Sequence, residues 1–254
     1  MKIVLIDPPL PPAADADISS YPNLGFMSLI AYARREVPEV PVDYLQGSYH
    51  LPGWMEAVLA AEPDVVGLSF ATLMSQEAYA AAKALREKRP EVLLICGGPH
   101  PTVAPEEVLK DSEFDVCCVG EGEVTFAEFL RCLHERGAGP TPEALTALAD
   151  IPGLRVRGSE RFVPRAYLPN LDDLPMPAWD LIDFSRYEGS NYQKARPATC
   201  ILVSRGCPYR CVFCSNPVWH AGKPLVRSRS PHLIVEEVET LYQRGVREIY
   251  IRSD

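Results

Sequence analysis

Three cysteines lie close together in the stretch SRGCPYRCVFCSNP, residues 204–217, where Cys207, Cys211 and Cys214 follow C-x3-C-x2-C spacing. A structural zinc site would need a fourth ligand, and the nearest candidate, His220, lacks ligand-like spacing. A redox pair of Cys211 and Cys214 would leave Cys207 unexplained. Three thiolates can instead hold a [4Fe–4S] cluster that leaves one iron open for an exogenous ligand. The spacing therefore favours an iron–sulfur cluster over the two alternatives.

The five other cysteines are scattered along the sequence: Cys96, Cys117, Cys118, Cys132 and Cys200. Thiols stay reduced in the cytosol, where cysteines serve as metal ligands or packing residues rather than as disulfides. Cys96, Cys117 and Cys118 lie within or at the end of apolar runs, which predicts small buried hydrophobes. Cys200 lies inside the strand-like TCILVS, and the sharp turn needed to reach Cys207 disfavours it as a fourth ligand.

The composition bounds the class of protein. The 254 residues are enough for one or two domains, and 47% of them are hydrophobic. A net charge of -9 and a pI of about 5.1 argue against a nucleic-acid partner, for which a basic stripe is expected. The apolar run before Asp7 is too short for a signal peptide, and no stretch approaches the ~18 apolar residues of a membrane span. These features predict a cytoplasmic protein without a membrane partner.

The first ~136 residues alternate strand-like and helical patterns. The strand-like runs are KIVLID (2–7), VPVDYL (40–45), DVVGLSF (64–70), VLLICGG (92–98) and DVCCVG (115–120). The helical patterns cover residues 24–36, about 53–61, 75–89, about 105–111 and 123–136. Most of the strand-like runs are continuously apolar, which is typical of strands buried on both faces of a parallel sheet. We predict an α/β domain with a flavodoxin-like (Rossmann-like) five-stranded parallel sheet.

Segments rich in glycine, proline and small hydroxyl residues follow four of the predicted strands. They are DPPLPP (7–12), SFATLMS (69–75), GGPHPT (97–102) and GEGEVT (120–125). In open α/β sheets, ligands bind beyond the carboxyl ends of the strands, and glycine lets the backbone approach a ligand closely. Turn chemistry alone would also favour these residues. Four such segments on one edge predict a site for a broad, flat ligand.

The pattern changes after residue 137. GAGPTPEAL is a break followed by a short helix, and GLRVRGSERFVPR alternates around Gly158 and Ser159 like a small hairpin. Residues 168–187 contain three prolines without sustained periodicity, which predicts an extended surface linker. A second α/β unit then begins with TCILVS, the cysteine loop, a helix over 231–244 and the strand EIYIRSD. The predicted domains are residues 1–137, a connecting segment over 138–197, and residues 198–254.

The C-x3-C-x2-C motif, with an aromatic residue before its last cysteine, resembles that of the radical S-adenosylmethionine (SAM) enzymes. The motifs GLSFATLMS, GGPHPTVAPEEVL, DVCCVGEGEVTFAEFL, LDDLPMPAWDL, SRGCPYRCVFC and VRSRSPHLIVEEVETL together resemble the cobalamin-dependent branch of that superfamily. The resemblance covers almost the whole chain. It implies an N-terminal cobalamin-binding domain followed by the first part of a (β/α) radical SAM barrel. It also implies three cofactors: a [4Fe–4S] cluster, SAM and cobalamin.

The resemblance assigns roles to individual residues. Cys207, Cys211 and Cys214 would ligate the cluster, and Phe213 and Asp254 would lie near SAM. The cobalamin would be surrounded by residues of the glycine-rich segments: Ser69, Thr72, Gly97, Gly98, His100, Gly120, Glu121, Gly122 and Glu123. The composition of these four segments, taken without the resemblance, also predicts a large ligand at the sheet edge.

The sequence departs from methionine-synthase-type cobalamin domains, which take an axial histidine from D-x-H-x-x-G after the first strand. Residues 7–12 contain no histidine, and His50 follows the second strand, on the wrong loop. His100 is better placed, yet a polar contact with the corrin or its side chains is expected of it rather than cobalt ligation. A site without histidine would suit a methyl carrier.

A second departure concerns length, because only 57 residues follow position 197, whereas a full (β/α)8 barrel takes ~250. We expect the N-terminal portion of a longer enzyme, with the remaining barrel strands and the substrate pocket absent. The family resemblance implies a methyltransferase acting on an unactivated carbon. The alternatives are an oxidative cyclase of the same family and a noncatalytic cobalamin-binding module. The implied partners are a small-molecule or natural-product substrate and an external electron donor of the flavodoxin or ferredoxin type.

Overall fold

The structure is a computed structural model that describes residues 1–7, 21–46, 53–137, 139–187, 193–214 and 224–253. The chain divides into two compact units. The first consists of Met1–Ala13 and Tyr32–Arg165, and the second of Ala14–Ala31 and Ala166–Asp254. Each unit has its own sheet.

The first unit contains a six-stranded sheet. Its strands are β1 (Ile3–Ile6), β2 (Val42–Leu45), β3 (Val65–Ser69), β4 (Leu93–Gly97), β5 (Val116–Cys118) and β6 (Leu154–Val156). The order across the sheet is β2-β1-β3-β4-β5-β6. The pairs among the first five strands are parallel, and β6 pairs with β5 in the antiparallel direction. The fold is therefore α/β with a mostly parallel sheet.

The prediction of five strands is wrong by one strand. Residues 154–156 were expected to form a hairpin with the segment after Gly158, but they pair with β5, with Cys118 opposite Leu154. The backbone amide of Arg157 extends this pairing by donating to the carbonyl of Asp115, at 2.8 Å. The edge of β5 offers a row of unpaired backbone groups, and β6 satisfies them.

Helices connect the strands of the first unit. They are α1 (Leu24–Glu36), α2 (Trp54–Ala60), α3 (Ser75–Lys88), α4 (Pro99–Val103), α5 (Pro105–Asp111), α6 (Glu123–Arg136) and α7 (Pro142–Leu148). The boundary between the two units falls within α1. A short 3-10 turn, Thr72–Met74, precedes α3. Among the helices in the described ranges, none is long and apolar enough to cross a membrane.

The core of the first unit lies between the sheet and its helices. Strand β1 is buried at every position, and β3 and β4 are buried except at their last residue. One cluster joins strand and helix side chains that include Val66, Leu68, Leu94, Ala78 and Leu85. Burying each large aliphatic side chain contributes about 1.5–3 kcal/mol relative to leaving it exposed. Apolar runs thus form strands here because both faces are covered.

Three of the scattered cysteines belong to this buried interior, as predicted. Cys96 and Cys117 face each other across β4 and β5, with their Sγ atoms 3.4 Å apart. Burial raises the pKa of Cys96 well above its ordinary value and that of Cys118 to about 12. A buried thiol that stays protonated acts as a small hydrophobe, so this prediction is confirmed.

The second unit contains a three-stranded sheet of order β8-β7-β9. It is built from β7 (Ala198–Arg205), β8 (Arg227–Ser228), α8 (Pro231–Gln243) and β9 (Glu248–Ser253). Strands β7 and β9 are parallel, and the predicted succession of strand, loop, helix and strand is confirmed. The short β8 was not predicted; it pairs antiparallel with the end of β7, with Arg227 opposite Arg205.

Residues 168–187, here called the strap, are not the surface linker that the sequence predicted. The strap contains three 3-10 turns, Leu171–Asp173, Trp179–Leu181 and Phe184–Arg186. Several of its apolar side chains are buried, and Trp179 is only 2% exposed. The three prolines prevent a regular helix or strand, but they do not prevent apolar residues from packing inward. The strap is therefore a packed element.

The strap contacts α8 at its beginning, middle and end. Asp172 accepts hydrogen bonds from the backbone amide of Ser230, at 2.8 Å, and from its hydroxyl. The Trp179 indole Nε1–H donates to the Glu237 carboxylate at 2.8 Å. At the carboxyl end, Arg244 donates to the carbonyls of Asp180 and Ile182, both at 3.3 Å. These bonds hold the helix along its whole length.

Candidate functional site

The carboxyl edge of the first sheet brings together the loops that follow β3 and β4. Ser69 and Gly97, the last residues of these strands, are paired in register. The amide of Phe70 donates to the carbonyl of Gly97 at 3.1 Å, and the amide of His100 donates to the carbonyl of Phe70 at 3.2 Å. Two of the four segments predicted to share one edge are thus joined by backbone hydrogen bonds.

Gly98 makes this close approach possible. Its φ is +97°, in the left-handed region, and a Cβ there would lie 2.8 Å from Ser69 Oγ and 2.9 Å from the carbonyl oxygen of Phe70. Only glycine avoids both the strain and the overlap. The backbone of Gly98 therefore lies directly against Ser69, which gives the edge a surface without side-chain bulk at this point.

Thr102 connects the loop after β4 to the loop after β5. Its hydroxyl donates to the carbonyl of Gly98 at 2.8 Å and accepts from the amide of Gly120 at 3.0 Å. Three loops therefore meet at the edge, and two of them, those after β4 and β5, contain glycine. Thr102 was not among the predicted site residues; its position at the end of GGPHPT, one helical turn after Gly98, was the available signal.

His100 is buried, with 7% of its surface exposed, and both of its ring nitrogens have partners within the protein. Nδ1 lies 3.1 Å from Thr72 Oγ1, and Nε2 lies 3.1 Å from the Tyr79 hydroxyl. The ring also lies 5.9 Å from that of Phe70. In this arrangement neither nitrogen is available to a ligand, so His100 can affect the edge only through its neighbours. Tyr79, on α3, was missed by the sequence analysis.

The remaining edge residues mix polar and apolar character. Glu123 is buried at the start of α6, and Glu121 is half-buried. Leu73 and Val103, in the segments after β3 and β4, are largely exposed, and exposed apolar side chains beside polar loops suit a large amphipathic ligand. Asp7 directly follows β1 and accepts from the Tyr44 hydroxyl at 2.5 Å. Residues 8–12, His50, His220 and Asp254 lie outside the described residues.

The cysteine loop begins directly after β7. Gly206, with a φ of +88°, turns the chain, and a Cβ there would lie 2.0 Å from the carbonyl oxygen of Leu225. Cys207 is half-buried, whereas Cys211 and Cys214 are exposed. The amide of Cys214 donates to the carbonyl of Cys211 at 3.1 Å, which closes a turn around residues 212 and 213.

The three thiols fit a cluster in number, type and accessibility, but they are not assembled into a ligand set. Among the described residues, no group of three or more His, Cys, Asp or Glu side chains is arranged to hold a metal ion. Phe213, expected near SAM, is 89% exposed. Cys200, by contrast, is buried within β7, and burial raises its pKa. The loop thus offers three accessible thiols that must close around a cluster as it binds.

A buried polar network supports the end of β7, where the cysteine loop starts. Glu237, 1% exposed, accepts from the Arg229 guanidinium as well as from Trp179. Arg229 also donates through its side chain to the carbonyl of Leu202, at 3.2 Å, and through its amide to Val203, at 2.9 Å. This network was not predicted from the sequence; a glutamate on the buried face of α8 was the available signal.

Residues 19–130 match the family model of the B12 binding domain. Over its full length the chain is 30% identical to an uncharacterized methyltransferase of Pyrococcus horikoshii and covers 53% of that protein. It is 26% identical, again over its full length, to the anaerobic magnesium-protoporphyrin IX monomethyl ester cyclase of Synechocystis sp., of which it covers 49%. Another relative is named a cobalamin-dependent radical SAM methyltransferase.

The fold is similar to that of the radical SAM methyltransferase TsrM from Kitasatospora setae, solved with cobalamin and a [4Fe–4S] cluster bound. The TM-score is 0.70 at 19% identity, over 100% of this chain and 49% of that one. The chain spans about half the length of these relatives. The B12-binding match, the named relatives and the three-cysteine loop agree with one another: residues 19–130 match a B12 binding domain, and the chain is similar over its length to cobalamin-dependent radical SAM enzymes.

Proposed function

We propose that this chain is the cobalamin- and cluster-binding part of a radical SAM methyltransferase that acts on an unactivated carbon. The observation that carries the proposal is the presence in one chain of two features. One is the glycine-lined carboxyl edge of the first sheet, of which strands β2 to β5 lie within the residues that match the B12 binding domain. The other is an accessible three-cysteine loop after the first strand of the second unit. The substrate class is a small molecule or natural product.

In this proposal the bound cluster and SAM supply a 5′-deoxyadenosyl radical, and bound cobalamin supplies the methyl group. Cys207, Cys211 and Cys214 would hold the cluster, with Phe213 and Asp254 near SAM. The residues that would surround cobalamin are Ser69, Thr72, Gly97, Gly98, Gly120, Glu121, Gly122 and Glu123. His100 would act on this site through its hydrogen bonds rather than as a cobalt ligand, because both of its nitrogens are engaged.

The finer fold assignment is part of the same proposal. The parallel strands of the first unit would form a flavodoxin-like cobalamin domain over residues 1–137, to which β6 adds an edge strand. Residues 138–197 would connect it to residues 198–254, the start of a (β/α) radical SAM barrel. The parallel pairing of β7 with β9, with α8 between them in the chain, supports this interpretation.

Reduction of the cluster would need an external electron donor of the flavodoxin or ferredoxin type. The accessible cysteine loop supports this role, because a cluster held there could be reached from solvent. Free cysteines throughout the described residues are consistent with a reducing compartment, and we propose the cytoplasm.

Anaerobic reconstitution tests the binding roles. We expect roughly four irons and four sulfides per chain, and one cobalamin. Replacing Cys207, Cys211 or Cys214 with Ala should abolish iron binding, whereas the matched variant Cys132→Ala should retain it, since Cys132 lies on α6 of the other unit. Stoichiometric zinc without iron uptake, or a chain that binds no cobalamin, would contradict the proposal.

An oxidative cyclase is the second candidate, since a cyclase is among the relatives that match the chain over its full length. The two reactions differ in how they consume SAM. A methyltransferase of this type releases S-adenosylhomocysteine together with 5′-deoxyadenosine, whereas a cyclase releases 5′-deoxyadenosine alone. Quantifying both products after reduction of the cluster, in the longer enzyme of which this chain is proposed to be a part, distinguishes them. Absence of both products from single-turnover assays of that longer enzyme would indicate a noncatalytic cobalamin-binding module.

A further inference from the structure

A chain of three hydrogen-bonded side chains runs from α3 to the carboxyl edge of the first sheet. Tyr79 contacts His100 Nε2, and His100 Nδ1 contacts Thr72, each at 3.1 Å. Phe70 packs against the first two rings, 6.1 Å from Tyr79 and 5.9 Å from His100. His100 is buried and Tyr79 is half-buried, whereas Thr72 is exposed. The chain therefore ends at a hydroxyl that a ligand can reach.

The direction of the hydrogen bonds follows from Tyr79. Burial, with the Glu107 carboxylate nearby, raises the pKa of Tyr79 to about 12, so its hydroxyl stays protonated at neutral pH. Among the described residues, His100 Nε2 is the only acceptor that its proton has. If Tyr79 donates to Nε2, the neutral imidazole carries its proton on Nδ1 and donates it to Thr72 Oγ1. We assign this tautomer from the network, not from observed hydrogens.

These hydrogen bonds fix the orientation of the Thr72 hydroxyl. Its oxygen accepts from His100, and within the described part of the chain its own hydroxyl hydrogen has no protein acceptor. Ser75 donates to the Thr72 carbonyl at 2.9 Å and so fixes the backbone of the 3-10 turn. With its oxygen and its backbone both held, the remaining O–H of Thr72 is directed away from the histidine, as a donor at the exposed edge.

We propose that Tyr79 is a positioning residue that acts through His100 to present the Thr72 hydroxyl as a hydrogen-bond donor to cobalamin. The acceptor would be an oxygen, either of a corrin amide side chain or of the phosphate in the nucleotide tail. This inference rests on the proposed function, because it takes cobalamin as the ligand of this edge. A ligand that accepts a hydrogen bond here gains a donor whose orientation is already fixed.

A double-mutant cycle on cobalamin affinity tests the inference. Thr72→Val removes the hydroxyl at constant shape, and Tyr79→Phe removes the phenol oxygen while keeping the ring against Phe70. Each should weaken binding about three- to tenfold, the worth of one hydrogen bond. In the Thr72→Val background, Tyr79→Phe should have no further effect on affinity. Thr72→Ser should restore binding, and Gln76→Ala, an exposed change on the same helix, should leave it unchanged.

Cobinamide, which lacks the nucleotide tail, identifies the acceptor. If Thr72→Val weakens cobinamide binding as much as cobalamin binding, the acceptor is a corrin amide; if its effect disappears, the acceptor is the phosphate. Either result supports the inference. Additive losses for Thr72→Val and Tyr79→Phe would overturn it, because Tyr79 would then act by another route. Unchanged affinity in both variants would overturn it as well.

Nitrogen NMR of histidine-labelled protein provides a readout that needs no cobalamin. The sequence contains five histidines, and His100→Gln identifies the signal of interest. We expect a neutral ring protonated at Nδ1 in the native chain, with the Nε2 signal shifting in Tyr79→Phe. A ring protonated at Nε2 would overturn the inference. If the native chain shows the expected tautomer but binds no cobalamin, the proposed function fails while the hydrogen-bond direction stands.

Discussion

Two glycines of the second unit, Gly206 and Gly245, share a backbone conformation but differ in their surroundings. Their φ angles are +88° and +95°, and a Cβ would meet the Leu225 carbonyl oxygen at 2.0 Å in the first case and nothing within 4 Å in the second. A non-glycine residue in this conformation costs about 1–2 kcal/mol by itself. The difference between the two sites is therefore steric.

We predict that Gly245→Ala lowers the free energy of unfolding by about 1–2 kcal/mol and leaves iron content after reconstitution unchanged. Gly206→Ala should destabilise the chain more and reduce iron content, since the segment carrying Leu225 must move away from the start of the cysteine loop. Denaturant unfolding and iron analysis of both variants check this. Equal effects of the two substitutions would refute the steric explanation.

At the residue scale, the sequence predicts residue types better than it predicts contacts. The three cysteines of the loop and the glycines of the edge were identifiable because their spacing and backbone roles are local. Tyr79, Thr102 and Glu237 were not, because each acquires its role from a partner that folding brings near. Tyr79 looks like any aromatic residue on an amphipathic helix until His100 is placed beside it.

At the element scale, the strap supplies a donor to a buried charge on α8. We predict that Trp179→Phe lowers the free energy of unfolding by about 1–3 kcal/mol, because Glu237 loses one of its hydrogen-bond donors while remaining buried. Thermal and denaturant unfolding measure the effect. Trp54→Phe on α2 is the matched control and should cost less. A loss no larger than that of the control would show that the hydrogen bond contributes little.

The start of α8 should respond to acid through Asp172. Hydrogen bonds from Ser230 hold the pKa of this carboxyl below its ordinary value, so its contribution to stability is present above the unfolded pKa. That contribution is lost as the pH falls through the lowered folded value. We expect wild type and Asp172→Asn to differ most above about pH 5 and to converge in stronger acid.

Unfolding curves between neutral and acidic pH test this, with Asp150→Asn as the control for removal of one exposed carboxylate. Asp150 pairs with Arg161 at the surface, where such ion pairs contribute little. A difference between wild type and Asp172→Asn that stays constant at all pH values would exclude the proposed linkage.

Elements with strong local signals agree with the predictions. Helices α1 and α6 begin and end at the predicted residues, because an apolar period of 3.6 and flanking breaks define them locally. Strand β6 and the strap do not agree with the predictions, because their conformations depend on partners distant in sequence. Val156 pairs with Val116 on β5, and Asp172 bonds to Ser230. Local sequence patterns do not predict either of these contacts.

At the scale of the whole molecule, the charge balance predicts that the chain does not bind nucleic acid. With 25 basic and 34 acidic residues, the chain should be repelled by a polyanion. We expect no retention on immobilised double-stranded DNA even at about 50 mM salt, where phosphate contacts are strongest. Salt-dependent retention would reveal a local basic surface that the net charge conceals.

The hydrogen bonds between the strap and both ends of α8 should affect local unfolding of this part of the chain. A helix normally frays from its termini, so that its end amides exchange with solvent much faster than its central ones. With Asp172 at one end and Arg244 bonded to the strap at the other, fraying requires the strap to detach first. The amides of α8 and of the strap should therefore exchange together, as a single cooperative unit.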